Sequence, residues 1–328
     1  MLGGTADSQA WEMYVSARAL LDGVGRGGDD RHRVDKSLQQ IESAIRRDEK
    51  FALAWVLKSK AHDAAQIYFP DKVADHRRLA DKAAKRACKL EPKLPQAHLE
   101  LAFKALRRLK WTKAEEEFAQ ASGDEMGQYA YLLVNTGHIR RAHDLFLVSH
   151  GSDESNANSF LSLMVTHDIL GNPKAALDLY EDGEPRFKNW PAGHFNALVV
   201  LWGRRRRADA KKAKALMKEI PGPVFAAVNH LYGSPPDVVV KELKRLLKDT
   251  TLANPINHMA IAACAAHFGD EELALKALSK ACVAMPLYSH KFWQPLFSEV
   301  RKLPGFKKFV QKHGFRDYWQ RYGGPDPV

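Results

Sequence analysis

Apolar residues recur at the spacing of a helix face twice in succession between Pro95 and Ala121. Leu99, Leu101, Ala102, Phe103, Ala105 and Leu106 come first, then Ala114, Phe118 and Ala121. The pattern predicts two short helices joined by one loop. Such a hairpin cannot bury its apolar face alone, so it calls for neighbours of the same kind. They are present in the chain. Gly269, Ala274, Leu278, Ala281 and Pro286 form the fullest copy of a Gly-x4-Ala-x3-large apolar pattern. Gly137, Ala142 and Phe146, then Gly171, Ala176 and Tyr180, repeat it 34 residues apart (171 − 137). Ala80, Ala84, Ala87 and Pro92 repeat the second-helix half, and Ser37, Ile41 and Ala44 do so more loosely.

In chain order, the pattern predicts helix pairs over 7–48, 51–92, 95–122, 126–150, 157–183, 190–219, 222–249 and 255–286. The first helix is capped by Asp7 or Ser8, and its partner starts near Val34. A long connection with Pro70 is expected from Tyr68 to Arg77, and Trp111 is expected in a turn. Beyond Pro286 the periodicity changes. Aromatic residues crowd the stretch from Phe292 to Tyr322, broken by Pro295, Pro304 and Gly314. An array of hairpins needs a cover over its last exposed face, and 287–328 is expected to supply that cap.

The period and the positions of the small residues resemble those of the tetratricopeptide repeat, whose unit is about 34 residues. The resemblance implies an all-α superhelix, a solenoid of about eight helical hairpins with an aromatic C-terminal cap. The ends add a narrower likeness. Leu296 to Phe306, His313 to Trp319 and Gly324-Pro-Asp326 resemble the ending of a bacterial group of tetratricopeptide regions, and Ala6 to Tyr14 resembles its start. Those regions follow the catalytic domain of class III adenylate or guanylate cyclases, or a winged-helix domain in transcriptional regulators. The implied role is a scaffold or regulatory module of a bacterial signalling protein. A cyclase domain would need a mixed sheet and two metal-binding aspartates, which this helical pattern does not provide, so no enzymatic activity is expected of this chain.

Composition narrows the picture further. The chain has 328 residues and a formal net charge of +11. A basic balance is the electrostatic footprint of nucleic-acid binding, yet Lys and Arg alternate with Asp and Glu along most predicted helices. The exception is the run Arg204, Arg205, Arg206 and Arg207, with Lys211 after it. Read as lying at a helix start, it opposes the helix dipole, and it is the candidate patch for an acidic partner or nucleic acid. There is no apolar run long enough to span a membrane and no secretory leader pattern. Three cysteines without CxxC spacing fit a reducing cytoplasm.

In a tetratricopeptide array the first helices of the hairpins line the binding groove. That places Leu99, Phe103, Tyr131, Leu161 and Val165 as candidate contacts for a protein or peptide partner, with Val56, Lys60, Gly127, Met259 and Ala263 at equivalent positions. Apolar residues at these positions argue against a clamp for the C-terminal carboxylate of a chaperone, which uses Lys and Asn there. Gly23 to Gly28 lacks the Gly-Lys-Ser/Thr ending of a phosphate loop and reads as a flexible connection. The histidines, His138, His143 and His150 among them, place no pair one helical turn apart, and Cys264 reads as core. No metal, cofactor or catalytic residue is expected.

Overall fold

The structure is a computed structural model that describes residues 2–24, 29–121, 126–152, 156–187 and 189–327. Among these residues every regular element is helical: nineteen α-helices and five 3-10 segments. None of the helices is long and apolar enough to cross a membrane. The chain divides into two compact units, Met1–Ala105 with Lys113–Glu125, and Leu106–Thr112 with Met126–Val328.

The first unit starts with α1 (Ser8–Asp22) and α2 (Asp30–Arg47). Asp7 caps α1 by accepting the Ala10 N–H at 2.9 Å, and Asp29 caps α2 through the His32 N–H at 2.9 Å. That second cap explains why α2 starts ahead of Val34: a carboxylate satisfies an orphan donor of the first turn there. Next come α3 (Ala52–Tyr68) and α4 (Val73–Leu90). The long connection expected between them is absent. Pro70 sits at the first position of a 3-10 turn, Pro70–Lys72, where its missing N–H costs nothing, and α4 follows directly. The core gathers small residues such as Ala17, Ala44, Ala54 and Ala61 around a cluster of Trp11, Tyr14 and Phe51. Small residues let the helices approach; the ring cluster fills what they leave. Most of α5 (Pro95–Leu106) and α6 (Trp111–Gln120) also belongs to this unit.

The second unit holds five helix pairs. They are α7 (Met126–Thr136) with α8 (Ile139–Ser152), α9 (Ala157–Ile169) with α10 (Pro173–Gly183), and α11 (Pro191–Gly203) with α12 (Ala210–Glu219). The last two are α13 (Pro223–His230) with α14 (Pro236–Lys248), and α15 (Pro255–His267) with α16 (Glu271–Ala284). The Gly-x4-Ala pattern has a physical cause here. Gly137, Gly171 and Gly269 have φ of +92°, +80° and +81°, the left-handed conformation that ends a helix. In each case the next residue bonds five positions back: His138 N to Leu133 O, Asn172 N to His167 O and Asp270 N to Ala265 O. This is the Schellman closure, which satisfies a carbonyl the helix leaves orphaned. The chain then reverses, and Ala142, Ala176 and Ala274, all fully buried, sit where the second helix crosses the first.

After α16 the tail continues through 3-10 segments Pro286–Trp293 and Pro295–Phe297, then α17 (Ser298–Lys302), α18 (Pro304–Lys312) and α19 (Phe315–Tyr322). Within this unit the tail does more than cover the last pair. It also runs across the first helices, and its donors reach their C-terminal turns. His290 N donates to Asn135 Oδ1 at 2.9 Å, and the Trp293 indole to Asn135 O at 3.3 Å. The Trp319 indole donates to Thr136 O at 2.8 Å. Asp326 closes the chain onto the same corner: its carboxylate accepts the Arg140 N–H at 2.8 Å and its own N–H donates to Gly137 O at 2.8 Å. Asp326 therefore serves the start of α8 as a cap supplied from the far end of the sequence. Trp111 lies at the start of α6 and not in the turn before it. It is fully buried against Phe315, with ring centroids 4.8 Å apart, and its indole donates to His313 O at 2.9 Å.

Two of the turn glycines separate backbone strain from crowding. A Cβ on Gly171 meets only open space, whereas one on Gly137 would lie 2.5 Å from Pro325 Cβ. Gly171→Ala is expected to cost about 1–2 kcal/mol, the penalty of a left-handed Ala. Gly137→Ala is expected to cost more, because the tail must also move; urea midpoints of the two variants side by side check the order.

Candidate functional site

Two first helices of the second unit, α11 and α15, are buried on nearly every side. In α15 each residue from Asn257 to Ala266 is buried, and in α11 each from Asn196 to Trp202. A helix of this kind has to be covered all round. Its own pair covers one side and the tail covers part of the other. What the tail leaves is a cavity of 580 Å³. Five first helices and the tail contribute to its wall: Tyr131 from α7, Leu161 and Val165 from α9, Phe195 from α11, Phe225 from α13 and Met259 from α15, with Leu287 to Lys291 closing it. Ile256 and Met285, 68% and 40% exposed, add apolar surface to the wall.

The polar groups in this wall are few. Asn196 of the wall is built like Asn135, which lies outside it on α7. Each side-chain amide donates to the carbonyl one turn back, Tyr131 O at 2.7 Å and Ala192 O at 2.8 Å, which leaves its oxygen turned to the tail. Asn135 takes the His290 N–H there, and Asn196 takes the Lys291 ammonium at 2.6 Å. Lys291 is 3% exposed, and among the described residues this amide is the one hydrogen-bond partner of its ammonium. Its Nζ also stands 5.5 Å from the centre of the Phe195 ring. Asp168 on α9, likewise buried, is held by Gln294 of the tail at 2.9 Å. Burial pushes the Asp168 carboxyl up to about 6, against the pull of Gln294 and of the Lys291 charge. Burial draws the Lys291 ammonium down to about 7, with Asp168 acting the other way. It draws His290 down to about 3, helped by the Lys291 charge beside it.

Of the residues singled out in the sequence, Tyr131, Leu161, Val165 and Met259 stand together in this cavity. Leu99 and Phe103 are in the first unit. Leu99 is fully buried and offers no face to a partner, and Phe103 packs edge-on against Phe118 at 5.8 Å. Val56 and Lys60 line a separate, more polar pocket with Trp11, Tyr14 and Arg18. Ala263 is core, and Gly127 faces Ser149. The connection Gly23 to Gly28 falls largely on residues 25–28, outside the described residues.

The arginine run is placed differently from its expected position at a helix start. Arg204 is the C-cap of α11, its N–H on Val200 O at 3.1 Å, so its charge lies at the favourable end of the dipole. Its side chain pairs with Asp209 at 3.2 Å. Arg205, Arg206, Arg207 and Lys211 are exposed. Lys212 is paired with Glu181 at 2.6 Å, and Lys214 lies over the Tyr232 ring at 4.3 Å. Trp202 is buried and stacked on His267, so it offers no face to a base.

The fold also gathers a constellation that local spacing hid. In the first unit Cys88 Sγ lies 3.9 Å from His98 Nε2, and His98 Nδ1 lies 2.7 Å from Glu117 Oε2. The order is that of a thiol, a base and an orienting acid. Two facts disarm it. His98 Nε2 donates to Pro92 O at 2.8 Å, so its proton faces a carbonyl and no lone pair faces the thiol. Burial and the Glu117 charge raise the Cys88 pKa, the reverse of activation. Among the described residues no group of three or more His, Cys, Asp or Glu stands where it could hold a metal ion.

No protein-family model matches this chain, and no curated protein does. The site therefore rests on its own geometry.

Lys291 carries a consequence for stability. Folded, it gives up its proton near 7; unfolded, it keeps it to about 10.4. Between those values unfolding takes up a proton, so this group's contribution to stability rises with pH across the window. In paired urea titrations from about pH 7 to about pH 10, the wild type is expected to gain on Lys291→Met by up to ~1.4 kcal/mol per pH unit. A constant gap between the two would show that the amine is not held in its uncharged form.

Proposed function

We propose that this chain is a binding module made of tetratricopeptide-type helix pairs, which takes an apolar segment of a partner protein into the cavity of its second unit. On this reading it serves as a scaffold or regulatory part of a bacterial signalling protein, and it does no chemistry of its own. The observation that carries the reading is the wall of the cavity: Tyr131, Leu161, Val165 and Met259, from three different helix pairs, converge on one apolar hollow. A preformed apolar concavity with a few placed polar groups is the usual form of a recognition site. The repeat period and the three Schellman glycines support the tetratricopeptide assignment. The basic run supports nucleic-acid binding less well, since Arg204, Lys212 and Lys214 are each engaged within the chain.

Peptides selected from a random displayed library on the immobilised protein test the reading. The enriched sequences are expected to carry apolar residues one helical turn apart or in alternation, and to bind with one site per chain. Leu161 is half-buried in the wall, so Leu161→Asp places a charge in the hollow without emptying a core position. It is expected to reduce capture at least about tenfold, the effect of ~1.4 kcal/mol or more from an uncompensated charge in an apolar site, with helicity unchanged by circular dichroism. Equal capture by the variant would remove the cavity from the reading.

A further inference from the structure

The cavity has a chemical polarity that an apolar partner segment does not use. Among the described residues no Asp or Glu stands in its wall. One cation among them does, Lys291, and it is buried, 3% exposed. An ammonium has three donors. Among the described residues one of the three is taken, by the neutral amide of Asn196, and the Phe195 ring flanks the charge. Asp168 is near enough to act on Lys291 electrostatically, but its carboxylate is held by Gln294 and it is not part of the cavity wall. A buried cation with donors to spare at the edge of an apolar hollow is matched by an anion carrying an apolar body. The volume, 580 Å³, is in the range of small-molecule sites, about 300–1,000 Å³.

We infer that the second unit binds an aliphatic monocarboxylate, with its chain among Tyr131, Leu161, Val165, Phe195 and Phe225 and its carboxylate on the Lys291 ammonium. This rests on the reading of the cavity as the binding site and adds the class of molecule that competes for it. The carboxylate brings Lys291 the counter-charge that the described wall residues lack, and the alkyl chain covers the apolar faces of α9, α11 and α13. A cationic amphiphile of the same length meets the ammonium with like charge and is rejected. A neutral one fills the hollow but leaves the charge unmatched.

Calorimetric titration of the full chain below pH 7, where the Lys291 amine keeps its proton, with decanoate, 1-decanol and decyltrimethylammonium, each below its aggregation concentration, tests the inference. Decanoate is expected to bind one to one and at least about tenfold more tightly than decanol, the weight of one charge-assisted hydrogen bond. The cation is expected not to bind. In Lys291→Met, and in Lys291→Gln as a polar second variant, decanoate should fall to the level of decanol while decanol is unchanged. Equal affinity for decanoate and decanol in the wild type overturns the role of Lys291, and so does decanoate binding that survives both substitutions. If neither ligand binds while the selected peptides still do, the carboxylate inference fails and the partner reading stands. If peptides and ligands are all refused, the cavity itself is excluded.

Discussion

Buried polar groups at the ends of the first helices govern how the second unit is built. A helix leaves its last carbonyls without partners, and in an apolar setting each must find a donor or cost about 1–3 kcal/mol. In this unit the turns satisfy some of them through the Schellman glycines. Others point the opposite way, and there the tail answers them. The Trp293 and Trp319 indoles reach Asn135 O and Thr136 O, and the His290 backbone reaches the Asn135 side chain. An indole N–H can only donate, so a buried Trp and an orphan carbonyl resolve each other. The tail's path is thus fixed by hydrogen-bond accounting as much as by its aromatic bulk.

The cavity follows from that path. The tail cannot track every first helix at once, and between its contact with α7 at Asn135 and with α11 at Asn196 it leaves a stretch of apolar wall uncovered. The same segment inserts Lys291 at the edge of the opening. Removing an ammonium from water is costly, and one neutral acceptor and one ring do not restore what hydration supplied. The amine responds by holding its proton weakly. A site in this condition is energetically unfinished, and that distinguishes it from the settled ion pairs elsewhere, such as Lys104 between Asp63 and Glu100 in the first unit.

The helix pairs were legible in the sequence because their signals are local. Gly137 and Gly171 mark left-handed turns, and Ala142 and Ala176 mark close crossings, each within a few residues of the other. Pro70 misled for the same reason: proline signals a break, and only the structure tells that a single 3-10 turn suffices to bridge it. The arginine run was misplaced by one element, since nothing local distinguishes the end of α11 from the start of α12. The site was partly legible. Tyr131, Leu161 and Val165 follow from helix register, whereas Leu99 has the same register and lies in a core. Lys291 was not singled out at all. Its one visible sign was a lysine inside an aromatic stretch, Tyr288 to Trp293, and its meaning depends on Asn196, which lies 95 residues away.

Lys291 arrives on the eight-residue 3-10 segment that also ties Asn135 to the tail. The cation of the hollow is therefore on loan from an element that holds the unit shut. Occupancy and closure then share a single free energy, and by reciprocity each strengthens the other by the same factor. On the proposed reading, a molecule lodged in the hollow would act as a staple on the C-terminal segment, and a chain whose segment had peeled away would keep the greasy walls of its socket but lose the charge on which the proposed selectivity rests.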